Sequence, residues 1–412
     1  MKTKLLVLIG FLIGFTSFSQ NTYVPDDNFE QALINWGYDS LPLDDYVPTS
    51  NIETVTFLDI QFNGISDLTG IEDFAALEIL QCSYNLITSL DLSQNTALSY
   101  LECISNQLTS LNINQNTALT TLDCQDNLLA SLDVSQNVLL NSLNCSSNNL
   151  TSLNISQNTA LSGLSCNFNQ LTSLDLSQNS DLKFFNCYDN QLTSLDVTQN
   201  TMLTNLNCYN NQLSSLDLSQ NLDLIFLYCY NNDLSNIVIS SNTVLSQLSC
   251  QDNQLASLDL TQNTQIAVLI AENNDLTSLD IKNGNNSIIN TFRTTGNPNL
   301  TCINVDNAAY SAANWTDIDT QHYFDENCPA MSTNEFGVST FSMYPNPVNE
   351  LLILDLIENA NYIVLNLGGQ ILKQGVLTKG ENKLDLSNLN SGFYFIKVET
   401  NERSITKKFI KA

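Results

Sequence analysis

The stretch Leu98-Ser99-Tyr100-Leu101-Glu102-Cys103-Ile104-Ser105-Asn106-Gln107-Leu108-Thr109-Ser110-Leu111-Asn112-Ile113-Asn114-Gln115-Asn116 holds one pattern twice. Leu98, Leu101, Cys103, Asn106 and Leu108 are spaced L-x-x-L-x-C-x-x-N-x-L. Leu108, Leu111, Ile113 and Asn116 then give L-x-x-L-x-I-x-x-N. Outward from this stretch the pattern recurs. Cys82, Cys103, Cys124, Cys145, Cys166, Cys187, Cys208, Cys229 and Cys250 lie 21 residues apart, and an asparagine follows each by three residues, from Asn85 to Asn253. Nine unbroken periods leave almost no room for chance and define a stacked-repeat architecture.

The spacing has a physical reading. Leu101 and Cys103 fall on one side of a short strand, because side chains alternate. Stacking the coils sets these strands in parallel with their apolar side inward. Each asparagine falls where the chain turns away, and its amide can pair backbone groups of neighbouring coils that would otherwise be orphaned. The second half of each coil shows no 3.6-residue period and is dense in Asn and Ser. It is therefore expected to be extended or weakly stranded, not helical.

Composition narrows the function. The 412 residues carry 42 acidic and 13 basic side chains, a net charge of −29. Recognition of phosphate needs a basic footprint, so no nucleic-acid partner is expected. Residues 21–339 hold 35 acids and 3 bases, whereas residues 340–412 hold seven acids and eight bases, which marks a boundary near 335–340. His322 is the single histidine. A two-histidine metal site is thereby excluded, and no Walker loop, G-x-S-x-G, H-E-x-x-H or dinucleotide fingerprint is present. No catalytic residue, cofactor or metal site is assigned. Paired acids such as Asp26-Asp27 and Asp44-Asp45 read as caps and turns.

Residues 1–19 read as a secretory signal peptide: Lys2 and Lys4, an apolar run from Leu5 to Phe15, and small residues at Ser17 and Ser19. The mature chain is expected to be soluble and exported, so its cysteines meet oxidising conditions.

The repeat resembles bacterial leucine-rich-repeat proteins, in a nested-motif variant, over roughly Thr54 to Val305. The first coil, Leu58 to Leu77, is internalin-like. Pro25 to Gly37 reads as a capping helix in which Phe29, Leu33 and Trp36 share a face and Gly37 ends the helix. Such a cap covers the core that an end coil would expose. Ala271 replaces cysteine in a later coil, and a last coil spans Phe292 to Val305, giving about twelve coils and a body on the order of 55 Å long. The expected fold is mainly β: a leucine-rich-repeat solenoid with a parallel β-sheet on its concave face, then a small antiparallel β-sandwich. The boundaries read as 20–53 for the N-terminal cap, 54–305 for the solenoid, 306–329 for the C-terminal cap, 330–340 for a linker and 341–412 for the tail domain.

Three roles are conceivable for the in-register cysteines. Zinc sites use clustered C-x-x-C spacing, which is absent. Parallel inward Cβ vectors fit disulfide torsions poorly. Buried thiols packing as small hydrophobes fit best. Cys302 and Cys328 lie outside the ladder, beside Trp315, Ile318 and Phe324, and are expected to form a disulfide that seals the open end.

Function is expected on the exposed columns. The residue after each cysteine is aromatic in three successive coils, at Tyr188, Tyr209 and Tyr230. Phe184, Phe226 and Tyr228 lie beside them, with Asn186 and Asn207 between. Aromatics rimmed by amides suit a protein or glycan partner; aromatic ladders also stabilise neighbouring strands. A second column, Asp91, Asp133, Asp175, Asp196, Asp217, Asp259 and Asp280, reads as a solubilising stripe, with weak divalent-cation binding as the alternative.

The tail alternates short apolar runs with turn residues, as in a small antiparallel sandwich. Tyr344-Pro345-Asn346-Pro347, Gly368-Gly369, Gly392 and Tyr394, and Lys407-Lys408 resemble, in order and spacing, the type A C-terminal sorting domain of Bacteroidota type IX secretion. That resemblance implies passage through the periplasm, recognition by an outer-membrane translocon, and release or anchoring at the cell surface. The combined expectation is a monomeric, secreted or surface-displayed recognition protein without enzymatic activity. The alternative is a surface-coat spacer with no discrete ligand.

Overall fold

The structure, a computed structural model, describes residues 20–328, 341–356, 358–366, 369–400 and 404–412. The expected signal peptide and linker lie outside these residues. Compact units form on either side of the Cys328–Pro329 junction.

In the first unit, twelve parallel strands of three residues each form one continuous sheet, from Phe57–Asp59 to Thr291–Arg293. Register is kept throughout, so that Leu101 pairs with Leu80 and Leu122. The central residue of each strand and the cysteine just after it point inward, and all nine cysteines are buried free thiols. The second half-coils are extended, as their composition requires. In the N-terminal half of the solenoid they meet only in single bridges, such as Asp91 with Asn112. Toward the C-terminus they sharpen into a second parallel sheet, Ser257–Asp259, Ser278–Asp280, Cys302–Asn304 and Tyr323–Asp325.

Asparagines hold the turns. Asn148 shows the arrangement: its Nδ2 donates to the carbonyls of Cys124, Cys145 and Ser146 at 3.0, 3.2 and 3.1 Å, and its Oδ1 accepts the Leu129 N–H at 2.9 Å. One side chain thus ties two adjacent coils together. A second buried column, Asn95 to Asn263, holds the other turn; Asn158, for example, donates to the Val134 and Asn137 carbonyls at 3.0 and 2.8 Å.

The turn after each cysteine imposes a left-handed residue. The position two beyond the cysteine, or beyond Ile60 and Ala271 in the two coils that lack it, has φ between 51° and 58° in eleven coils, from Phe62 to Asn273. Most of these residues are Ser, Asp or Asn, and the latter two tolerate this region best. Phe62, Tyr84 and Phe168 are the exceptions; a bulky residue there costs on the order of 1–2 kcal/mol.

Helix Asp27–Trp36 caps the first coil. Asp26 accepts the Asn28 and Phe29 N–H groups at 3.0 Å, and Gly37 at φ 80° ends the helix. Phe29 and Leu33 are buried, but Trp36 is not part of the core. It packs beside Tyr38 and Phe57, and its Nε1 donates to the Asp59 carbonyl at 2.7 Å. Its indole must keep a polar partner, which draws it to the rim. At the other end, Trp315 stacks on Phe292 with centroids 4.4 Å apart, and the Cys302–Cys328 disulfide closes the last coil.

The second unit is an antiparallel sandwich. One sheet contains Phe341–Tyr344, Leu351–Leu356 and Gly380–Asp385. The other contains Ile371–Leu377, Ala360–Leu365, Gly392–Glu399 and Ser404–Lys411. Leu352 and Leu354 from the first sheet, with Val364, Ile396 and Phe409 from the second, share one buried core.

Candidate functional site

Strands Phe184–Asn186, Asn205–Asn207 and Phe226–Tyr228 stand side by side in register. Their end residues alternate with the buried central Phe185, Leu206 and Leu227, and so face outward on the concave side. Three outward rows result. The first runs Phe184, Asn205, Phe226, so the two phenylalanines are separated by an amide. Phe184 is 53% exposed and Phe226 half-buried. The second runs Asn186, Asn207, Tyr228. Asn207 Nδ2 donates to Asn186 Oδ1 at 2.7 Å, Asn186 Nδ2 donates to Ser165 Oγ at 3.1 Å, and the Tyr228 hydroxyl donates to Gln247 Oε1. Asn207 Oδ1 meets no donor.

Tyr188, Tyr209 and Tyr230 form the third row. Their ring centroids are 4.3 and 4.2 Å apart with interplanar angles of 14° and 9°. The tyrosines therefore cover much of one another's faces. Tyr209 has both faces covered, Tyr230 has one covered by Tyr209, and Tyr188 meets the edge of Phe168 at 5.3 Å and 81°. Apart from the outer side of Tyr230, the row offers a partner ring edges and hydroxyls more than faces. Burial pushes the pKa of the Tyr209 hydroxyl up, aided by its two tyrosine neighbours, and burial also pushes up those of Tyr228 and Tyr230. All three hydroxyls stay protonated at neutral pH, able to donate and accept.

Phe168 was not singled out by sequence reasoning. The available signal was its position two residues after Cys166, where most coils carry Ser, Asp or Asn. The neighbouring coils, by contrast, are small and polar, with Ser146 and Asn167 buried at the tyrosine position.

The acidic column behaves as turn chemistry. Asp91, Asp133, Asp175, Asp217 and Asp259 each accept the N–H two residues on. Such bonds hold Asp91, Asp133, Asp175 and Asp217 below the usual carboxylate range; for Asp196 the Thr198 hydroxyl is the largest cause. A shallow cavity of about 270 Å³ beside Asp196 and Asp217 opens on this column. Asp27, Glu30 and Asp45 bring one oxygen each within 4.8 Å of one another. Both Glu30 oxygens already accept backbone N–H groups, from Asp44 and Asp45, so the cluster closes the N-terminal cap. His322 is buried beside Asp319: its Nδ1 accepts the Asp319 N–H at 3.2 Å, and its Nε2 lies 3.2 Å from the Asn297 carbonyl.

In the tail domain, the tyrosine-proline segment is tied to the last strand. Asn346 Oδ1 accepts the Ile410 N–H at 2.8 Å, and Pro345 and Pro347 follow cis bonds. Tyr344 is exposed. The Tyr394 hydroxyl donates to the Asn390 carbonyl two residues before Gly392, and its ring stacks on Phe409. Lys407 donates to the Phe341 carbonyl, and Lys408 lies 5.1 Å from the Phe393 ring centroid. Gly368 lies outside the described residues.

Comparison with known proteins places both units. Residues 342–412 match the secretion system C-terminal sorting domain family. The solved functional domain of InlJ from Listeria monocytogenes, which includes a cysteine ladder, superposes with a TM-score of 0.64 at 37% identity; the match covers 69% of this chain and 66% of that one. The internalin InlF of L. monocytogenes str. 4b F2365 shares the fold with a TM-score of 0.55 at 24% identity, covering 72% of this chain and 95% of that one. Internalin J of L. monocytogenes serotype 4b is 41% identical over 78 residues, and the match spans only 8% of that protein and 19% of this chain. No helix among the described residues is long and apolar enough to cross a membrane. The chain joins an internalin-like leucine-rich-repeat solenoid to a secretion-system sorting domain, which marks it for export to the cell surface or the medium.

Proposed function

We propose that the protein is a non-catalytic recognition molecule, exported through its tail, whose concave face between Leu182 and Asn232 binds a partner through ring edges, hydroxyls and amides. The tyrosine row carries this reading: three large side chains on adjacent coils, flanked by small polar coils, break the uniformity of the repeat. Because the stacked faces are spent on one another, a protein surface with alternating donors and acceptors fits the row better than a sugar ring that needs an open aromatic face. Phe184 supplies an exposed apolar contact at the edge of the same patch.

The competing reading is a spacer in which the row only stabilises its strands. Gln125 and Gln251 hold the tyrosine position in other coils, so glutamine is tolerated there. Replacing Tyr188, Tyr209 and Tyr230 with glutamine should preserve folding and abolish binding to whole cells and to captured protein partners. Unchanged binding would remove the site and favour the spacer. If the tail directs type IX export, deleting residues 341–412 should trap the protein in the periplasm; normal secretion of the truncated chain would end that part of the proposal.

A further inference from the structure

Away from the concave face, Phe62 and Tyr84 sit on the turn edge of the first two coils. Their rings stack with centroids 4.3 Å apart and an interplanar angle of 7°. Both occupy the left-handed turn position, at φ 57° and 58°, where most other coils use Ser, Asp or Asn. Neither ring serves the core, since Phe62 is 72% and Tyr84 46% exposed. A strained conformation held by a side chain that packs nothing inside is a reason to look for function.

The geometry leaves one broad aromatic face open. Tyr84 covers one side of Phe62, and at 72% exposure the other side faces solvent. This ring differs from the Tyr188–Tyr230 row, whose faces are largely spent. Its surroundings are acidic. Asn28 Nδ2 donates to the Gly64 carbonyl at 3.0 Å, which sets the helix start, with Asp26 and exposed Asp27, against the turn that carries Phe62. Across residues 21–182 there are 19 acidic side chains and no Lys, Arg or His. Residues 21–182 supply no cation for this face. A second copy would bring the same negative charge, and an anionic ligand would be repelled.

We propose that the Phe62–Tyr84 pair is a docking site for an arginine-bearing segment of a basic protein partner. A planar guanidinium stacks on the open Phe62 face while the surrounding carboxylates hold it by charge. Arginine suits this better than lysine, because its weakly hydrated plane matches the ring and a compact ammonium does not.

The test uses a ratio, so that general attraction to a −29 chain cancels. The mature protein is titrated with two Gly-Ser peptides of equal length, one carrying three arginines and the other three lysines, by fluorescence anisotropy. The wild type should prefer the arginine peptide by about two- to fivefold. The double variant Phe62→Asn, Tyr84→Asn should bind both peptides equally. It should also melt no lower than the wild type, because asparagine accepts the left-handed turn. An unchanged arginine preference in the variant overturns the proposal. So does a variant that keeps this preference but loses binding on a neutral-glycan array, which would assign the pair to a saccharide. A variant with a lowered melting temperature would show instead that the pair is a structural staple.

Discussion

The asparagine ladder makes a quantitative claim about Asn148. Replacing it with alanine removes three amide donations and the acceptor for the Leu129 N–H. The carbonyls are not abandoned: Asn127 still donates to Cys124, Asn169 to Cys145, and the Asp126 N–H to Ser146. Leu129 N–H, on a fully buried residue, has no such second partner. An orphaned buried N–H costs about 1–3 kcal/mol, and each lost hydrogen bond adds about 0.5–1.5 kcal/mol, for a total of roughly 3–7 kcal/mol. Asn158→Ala is the internal control. It removes two bonds, and the Val134 and Asn137 carbonyls keep the Asn137 and Leu140 N–H groups, so the loss should be about 1–3 kcal/mol. Urea unfolding followed by circular dichroism, with m-values that match the wild type, measures both. Hydrogen exchange should show the Leu129 amide losing protection in Asn148→Ala alone. Asn148→Asp adds a sign test. It keeps an acceptor for Leu129 but turns an ionised oxygen toward three carbonyls, so its folded-state pKa is raised. At neutral pH it should be less stable than the alanine variant and should recover as pH falls through that raised value. If Asn148→Ala costs no more than Asn158→Ala, the shared-ladder reasoning is wrong.

Three further outcomes follow from the same structure. The Cys302–Cys328 bond closes a loop with a sequence separation of 26, and Cys302→Ser with Cys328→Ser should cost about 3–4 kcal/mol, read as a lower urea midpoint with exchange rising first in the C-terminal cap. Burial pushes Cys82, Cys145 and Cys229 up to about 12 and the other ladder thiols well above their usual value, so a thiol reagent at pH 8 should find no free thiol in the native protein and nine in guanidinium. Burial, with Glu102 on the adjacent rung, raises Asp123. A raised carboxylate costs stability at neutral pH that is recovered as pH falls through the folded value, so Asp123→Asn should raise the melting temperature at pH 7, and the gain should shrink in acid; a constant gain across pH would deny the charge origin.

A 21-residue period is legible because stacking repeats one environment at every rung. Leu101 and Cys103 must be apolar, Asn106 must pair a turn, and a single coil teaches the rest. The terminal features were legible for a similar reason: Gly37 ends a helix by its backbone freedom, and Cys302 and Cys328 fall outside the ladder. Helical spacing places Trp36 on the face of Phe29 and Leu33, yet of the three only Phe29 and Leu33 are buried. Spacing does not register that an indole N–H needs a partner, which it finds in the Asp59 carbonyl.

The sequence alone determined the 21-residue period, the inward columns, the turn amides and the two-part plan, all of which follow from spacing and polarity. The tertiary structure decided which aromatic faces are open. Tyr188, Tyr209 and Tyr230 look exposed when written as a column, yet cover one another, whereas Phe62 looks like an ordinary turn residue and presents a bare face. A repeat names the position of a side chain, but ring orientation depends on what the neighbouring rungs carry. That is a contact between residues 21 or 22 apart in sequence, visible only once the coils are stacked.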